Sequence, residues 1–77
     1  MKSLSTLKPG ESGVIVRIAG DATLRSRLTE MGVLRGEPVK VLKFAPLGDP
    51  MELLVSGYHL SLRKRDAEYV VVDAGEV

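Results

Sequence analysis

Seventy-seven residues hold one domain, short of the usual size of roughly 100–150 residues, and a chain of this length buries only a little over roughly 60% of its unfolded surface. With 44% hydrophobic and 27% charged residues the chain is globular rather than disordered, and its three aromatics leave the core to aliphatic side chains. Eleven basic against ten acidic residues give a net charge of +1, too weak a field to gather phosphate backbones, and the absence of cysteine excludes disulfides and thiolate metal sites.

In chain order, Lys8-Pro9-Gly10-Glu11 predicts a type II turn, with proline presetting φ at the second position and glycine accepting positive φ at the third. A first strand is expected over about 13–19, with Val14, Val16 and Ile18 on one face and Ile15, Arg17 and Ala19 on the other. Asp21 is placed to cap a helix, and Leu24, Leu28 and Met31 at i, i+4 and i+7 share one apolar stripe. Gly32 sits where the chain must turn left-handed, so that Val33 can pack back on the last turn. A helix of about ten residues is marginal alone in water, so a surrounding sheet must hold it.

A second strand is expected over about 38–44, opening on Pro38, whose missing N–H does least harm there. Ala45-Pro46-Leu47-Gly48-Asp49-Pro50 reads as a rigid connector. A third strand follows over about 51–56, and a tight turn around Gly57 leads to a fourth in which Tyr58, Leu60 and Leu62 alternate with His59, Ser61 and Arg63. The polar run 63–68 predicts one turn of helix, a fifth strand covers 69–73, and the last four residues are expected to fray. The pattern predicts a mainly β fold, a small five-stranded barrel with one short helix inserted between its first and second strands, since closure removes exposed edges. No linker divides residues 1–77, which read as a single domain. No apolar run has the length of a signal peptide or a membrane span, so the chain is expected to be soluble and cytoplasmic.

Catalysis requires a constellation that the sequence lacks. The single histidine, His59, alternates outward, no nucleophile motif occurs, and Ser12 reads as a loop hydroxyl. The glycines form no phosphate-binding pattern. Asp49, Glu52 and His59 are the best hard-ligand candidates for a divalent cation, but their spacing supports no closed site, and they read first as solvated strand-end polarity. No catalytic, cofactor-binding or metal-binding residue is therefore assigned. Arg63-Lys64-Arg65 is followed at once by Asp66 and Glu68 with no interleaved aromatic, which favours a solvated turn over a nucleic-acid site. Arg25 and Arg27 are expected to pair along the helix with Asp21 and Glu30.

The run Arg27-Leu28-Thr29-Glu30-Met31-Gly32-Val33-Leu34-Arg35-Gly36, followed by Ala45-Pro46-Leu47-Gly48-Asp49-Pro50 and then Leu60-Ser61-Leu62-Arg63, resembles the FeoA family of bacterial ferrous iron uptake. The likeness extends from Leu7-Lys8-Pro9-Gly10 to the closing valine strand; one departure is Arg35, where the family often has proline, at a position that needs turn geometry rather than proline itself. The same module resembles a domain appended to some iron-dependent repressors, a role not expected for this sequence, which shows no helix-turn-helix pattern. The resemblance implies an SH3-like barrel. It also implies a partner, the FeoB-type membrane iron transporter with its GTP-binding domain, which such a protein would bind and modulate from the cytosolic side. Neither nucleic acid nor direct membrane insertion is expected, and weak self-association is left open.

The expected docking patch combines the helix with the connector, with Leu24, Leu28 and Met31 supplying apolar contact and Leu47 adding to it. Pro46 and Pro50 would hold the loop in one shape and reduce the entropy lost on binding, and methionine adapts to a partner's surface. The competing account is that the helical stripe seals the core, which most surface helices do and which so small a domain needs. A nucleic-acid-associated or transcription-linked module is the alternative function.

Overall fold

The computed structural model describes residues 1–74; the expected fraying of the terminus falls largely on residues 75–77, outside the described residues. Six strands form one antiparallel sheet in the order β1-β6-β2-β3-β4-β5, with β1 at Lys2–Ser3, β2 at Ser12–Ile18, β3 at Pro38–Phe44, β4 at Met51–Val55, β5 at Tyr58–Leu62 and β6 at Val70–Asp73. Helix α1, Ala22–Glu30, lies between β2 and β3, and a single turn, α2 at Lys64–Ala67, precedes β6. The five expected strands are all present. The sixth, β1, is two residues long and pairs Lys2 with Val72 and Ser3 with Val71. Among the described residues no ladder joins β5 back to β1, so hydrogen bonding does not close the sheet, and its buried side chains form one core cluster.

The N-terminal strand and the 3₁₀ turn Leu4–Thr6 after it carry Leu4 and Leu7 into the interior, where both are fully buried. They join Ile15, Val39, Val41, Leu53, Val70 and Val72 in one aliphatic cluster. No charged or polar residue is buried with them among the described residues.

Two bulges break the simple alternation. In β2 the register with β6 shifts between Ile15 and Arg17, leaving Val16 as the extra residue. Ile15 before the bulge is fully buried and Val14 is 41% exposed, while Ile18 beyond it packs against the core, so Ile15 and Ile18, expected on opposite faces, both meet the core. In β3 the shift falls between Val41 and Lys43, with Leu42 as the exposed extra residue, so that Lys43 faces out and Phe44 packs on the core. Strand β4 has no bulge, and Met51, Leu53 and Val55 alternate inward as its sequence predicts.

The turns follow their residue chemistry. Glu11 N–H donates to the Lys8 carbonyl at 2.9 Å with Gly10 at φ +92°, consistent with the expected type II turn. Val55 pairs with Tyr58 across Ser56 and Gly57, both at positive φ, the geometry that matches strand twist in a two-residue hairpin. Ser56 is held in that conformation by its N–H donating to the Pro38 carbonyl and its hydroxyl donating to Glu37. Ser12, expected in a loop, begins β2 opposite Lys40.

Candidate functional site

Helix α1 is built as its sequence specifies. Asp21 Oδ1 accepts from Leu24 N–H at 2.9 Å, satisfying one of the orphan donors of the first turn. At the other end Gly32 N–H donates to the Thr29 carbonyl and Val33 N–H to the Leu28 carbonyl, both at 3.0 Å, with Gly32 at φ +96°. This pair of bonds is a Schellman motif, and it delivers Val33, fully buried, into the core.

The four residues expected to dock a partner have separate places. Leu28 is fully buried in the core cluster, which corrects its assignment to a contact surface: its side chain keys the helix onto the sheet and offers nothing to a partner. Leu24 is half-buried against the core and lines a shallow groove of about 340 Å³ with Thr23, Arg27, Arg65 and Tyr69. Met31, 40% exposed, lines a different groove of about 250 Å³ with Leu34, Val55 and Tyr58. Leu47 is 97% exposed. It occupies, with Pro46, the centre of a turn closed by Gly48 N–H to the Ala45 carbonyl at 2.7 Å, which points its side chain into solvent. The expected patch is thus dispersed over two grooves and a loop tip.

The residues weighed as cation ligands separate likewise. Glu52 and His59 face each other across β4 and β5 with Oε1 and Nε2 2.8 Å apart, while Asp49 turns away to accept from Lys64 N–H at 3.0 Å. Among the described residues no group of three or more His, Asp, Glu or Cys lies close enough to hold a metal ion. Ser61 Oγ donates to Glu52 Oε2 at 2.9 Å, and this bond, with smaller help from His59 and Lys43 against a desolvation penalty, holds the Glu52 carboxyl below its ordinary range.

The basic residues also find structural tasks. Lys64 Nζ lies 4.5 Å from the centre of the Phe44 ring, and Arg27 pairs with Asp66 at 3.2 Å, tying α1 to α2 instead of pairing with Glu30. Arg25 Nη1 donates to the Gly20 carbonyl at 2.6 Å rather than to Asp21. Sequence spacing supplied near neighbours along the helix, but the closure of α2 against α1 brought Asp66 nearer.

One feature of the site escaped the sequence altogether. A groove of about 430 Å³ lies between the second half of β2, helix α1 and the segment after Gly32. Its floor is aliphatic, from Val16, Ile18, Val33 and Leu34, and three arginines, Arg17, Arg25 and Arg35, line it. They come from three separate stretches of chain, so no local motif announces them.

This architecture can be set beside known proteins. The family model described as the FeoA domain matches residues 2–74. The chain belongs to the FeoA family. A curated relative from Porphyromonas gingivalis, an Fe(2+) transport protein A/Fe(2+) transporter FeoB fusion protein, is 40% identical over 70 residues, covering 91% of this chain and 8% of its own length. The chain thus spans under a tenth of that relative. The FeoA protein of Chlorobium tepidum, solved by solution NMR, is 39% identical with a TM-score of 0.87, over 96% of this chain and 70% of that one. Stenotrophomonas maltophilia FeoA, crystallised with zinc and described as a procaryotic SH3 domain protein, is 31% identical with a TM-score of 0.80, over 96% and 92%. The mainly β, SH3-like fold is therefore that of FeoA proteins, a family of ferrous iron transport. No helix among the described residues is long and apolar enough to cross a membrane.

Proposed function

We propose that this protein is a non-enzymatic, cytoplasmic accessory protein of ferrous iron uptake that binds the cytosolic part of a FeoB-type transporter by protein–protein contact. The observation that carries this reading is the Porphyromonas gingivalis relative, in which a domain 40% identical to this chain shares one polypeptide with a FeoB transporter. Covalent linkage of two chains raises the effective concentration of one at the other, an arrangement that suits partners whose separate affinity is weak.

The surface agrees with such a role. Leu47 stands on a loop tip pinned through Asp49 to α2, and Met31 with Leu34 and Tyr58 makes a second exposed apolar area. Leu24 contributes its half-exposed edge, and Leu28 acts only by holding the helix in place. Modulation, rather than conduction of iron or hydrolysis of nucleotide, is the proposed task. The transcription-linked alternative gains nothing from the Arg63-Lys64-Arg65 run, whose lysine ammonium lies over the Phe44 ring.

Pull-down of the transporter's cytosolic domain by the tagged protein tests the reading. Retention is expected, and Met31→Asp and Leu47→Asp are expected to reduce it while far-UV circular dichroism stays unchanged. Equal retention by both folded variants would remove these residues from the contact surface.

A further inference from the structure

Three arginines line the groove between β2, α1 and the segment after Gly32. No Asp or Glu lines it, although the chain carries ten acidic residues and a net charge of only +1. Among the described residues the two ion pairs are Arg27–Asp66 and His59–Glu52, and neither includes Arg17, Arg25 or Arg35. The carbonyl of Gly20 orients Arg25 without neutralising it. Three guanidinium groups around one apolar trough offer an anionic ligand several charge-assisted hydrogen bonds.

The backbone beneath supplies a second, independent observation. The ladder between β2 and β3 covers Ser12, Gly13 and Val14 only, whereas the ladder between β2 and β6 continues to Ile18. Residues 16–18 therefore have a strand partner on one side and the groove on the other. The bulge at Val16 bends this half of the strand away from β3, and α1 with Leu34 forms the opposite wall. A free half-edge of strand beside an aliphatic floor is the geometry that accepts an added extended segment.

We propose that this groove binds an extended polypeptide segment in which acidic residues flank an aliphatic one. The segment lies along residues 16–18 of β2, seats its aliphatic side chain over Val16, Ile18 and Leu34, and presents carboxylates to Arg17, Arg25 and Arg35. A nucleic acid is the poorer occupant, because none of the lining residues is aromatic and a floor of valine, isoleucine and leucine gives bases nothing to stack on. As the site of this chain's partner, the groove rests on the proposed association with the transporter and names the chemistry that the transporter would present.

The test is an NMR titration of the isotope-labelled full chain with two synthetic peptides, acetyl-Glu-Val-Asp-Ile-Glu-amide and its neutral isostere acetyl-Gln-Val-Asn-Ile-Gln-amide. The acidic peptide is expected to shift the amides of Val16, Arg17, Ile18 and Leu34 saturably, with an affinity that falls as salt rises. The isostere, and the acidic peptide offered to the Arg17→Gln/Arg35→Gln variant, are each expected to bind roughly tenfold more weakly. Both arginines are exposed, so the variant is expected to keep the wild-type spectrum elsewhere. Equal binding of the two peptides, unchanged binding by the variant, or shifts confined to other amides would overturn the proposal. Tighter binding of a hexauridylate at the same amides would overturn it in favour of nucleic acid. The transporter's cytosolic domain is titrated in parallel. Undiminished binding of that domain by the double variant would sink the groove and leave the partnership standing. Acidic-peptide binding without any binding of the domain would support the groove and sink the partnership.

Discussion

Replacing Leu28 with alanine separates the two roles its sequence position allowed. Leu28 is fully buried and is the residue of α1 that enters the core completely; Leu24 is only half-buried. Truncation removes most of a side chain whose transfer from water is worth about 2 kcal/mol, and it leaves a void between helix and sheet. Together these effects amount to about 2–5 kcal/mol in a well-packed core. A domain of this size has a total stability of roughly 4–12 kcal/mol, so the variant should lose a large share of it. At about 4–8 °C per kcal/mol, its midpoint should fall by at least ~8 °C. Urea and thermal unfolding followed by far-UV circular dichroism measure this directly. A loss below about 1 kcal/mol, with partner affinity reduced instead, would refute the core assignment and return Leu28 to the contact surface.

Other expectations follow from single contacts. A Cβ on Gly13 would stand 2.6 Å from the Asp73 carbonyl oxygen, so Gly13→Ala must push β2 off β6 and should cost about 1–3 kcal/mol in urea unfolding; a neutral variant would contradict the register. Gly32→Ala meets no atom within 4 Å and should cost only the strain of φ +96°, about 1–2 kcal/mol. Asp21→Ala removes the acceptor for Leu24 N–H and should cost about 1 kcal/mol, with faster hydrogen exchange confined to the first turn of α1. Because Glu52 titrates below its ordinary range, its bond to Ser61 stabilises the fold above the ordinary carboxylate pKa, and that contribution is lost as pH falls through the lowered one. Ser61→Ala should raise the Glu52 pKa in a carboxyl-carbon NMR titration, and an unmoved titration would show that the hydroxyl is not its main cause.

Legibility in the sequence depended on whether a feature was local. Asp21, Gly32 and Val33 fix the ends of α1 through bonds spanning at most five residues, and each sits as the sequence predicts. The Gly10 turn and the alternation of β4 are equally local. Bulges are not. A register shift depends on what the neighbouring strand offers, so Ile15 and Ile18, expected on opposite faces, both reach the core. Strand β1 is too short to carry a period, and Leu4 and Leu7 enter the core because of their pairing and turn rather than a pattern. The i, i+4, i+7 stripe gave the correct helix but not the depth of each residue: Leu28 is in the core, Met31 at its rim. The three-arginine groove joins a strand, a helix and a loop, and only the fold brings them together.

The central claim is that this domain works by touching a transporter. Isothermal titration of the transporter's purified cytosolic domain with the full chain tests it most directly. A saturable isotherm of micromolar class and simple stoichiometry is the predicted result. Flat heats into the millimolar range, with both proteins folded and each nucleotide state of the domain tried, would contradict the account.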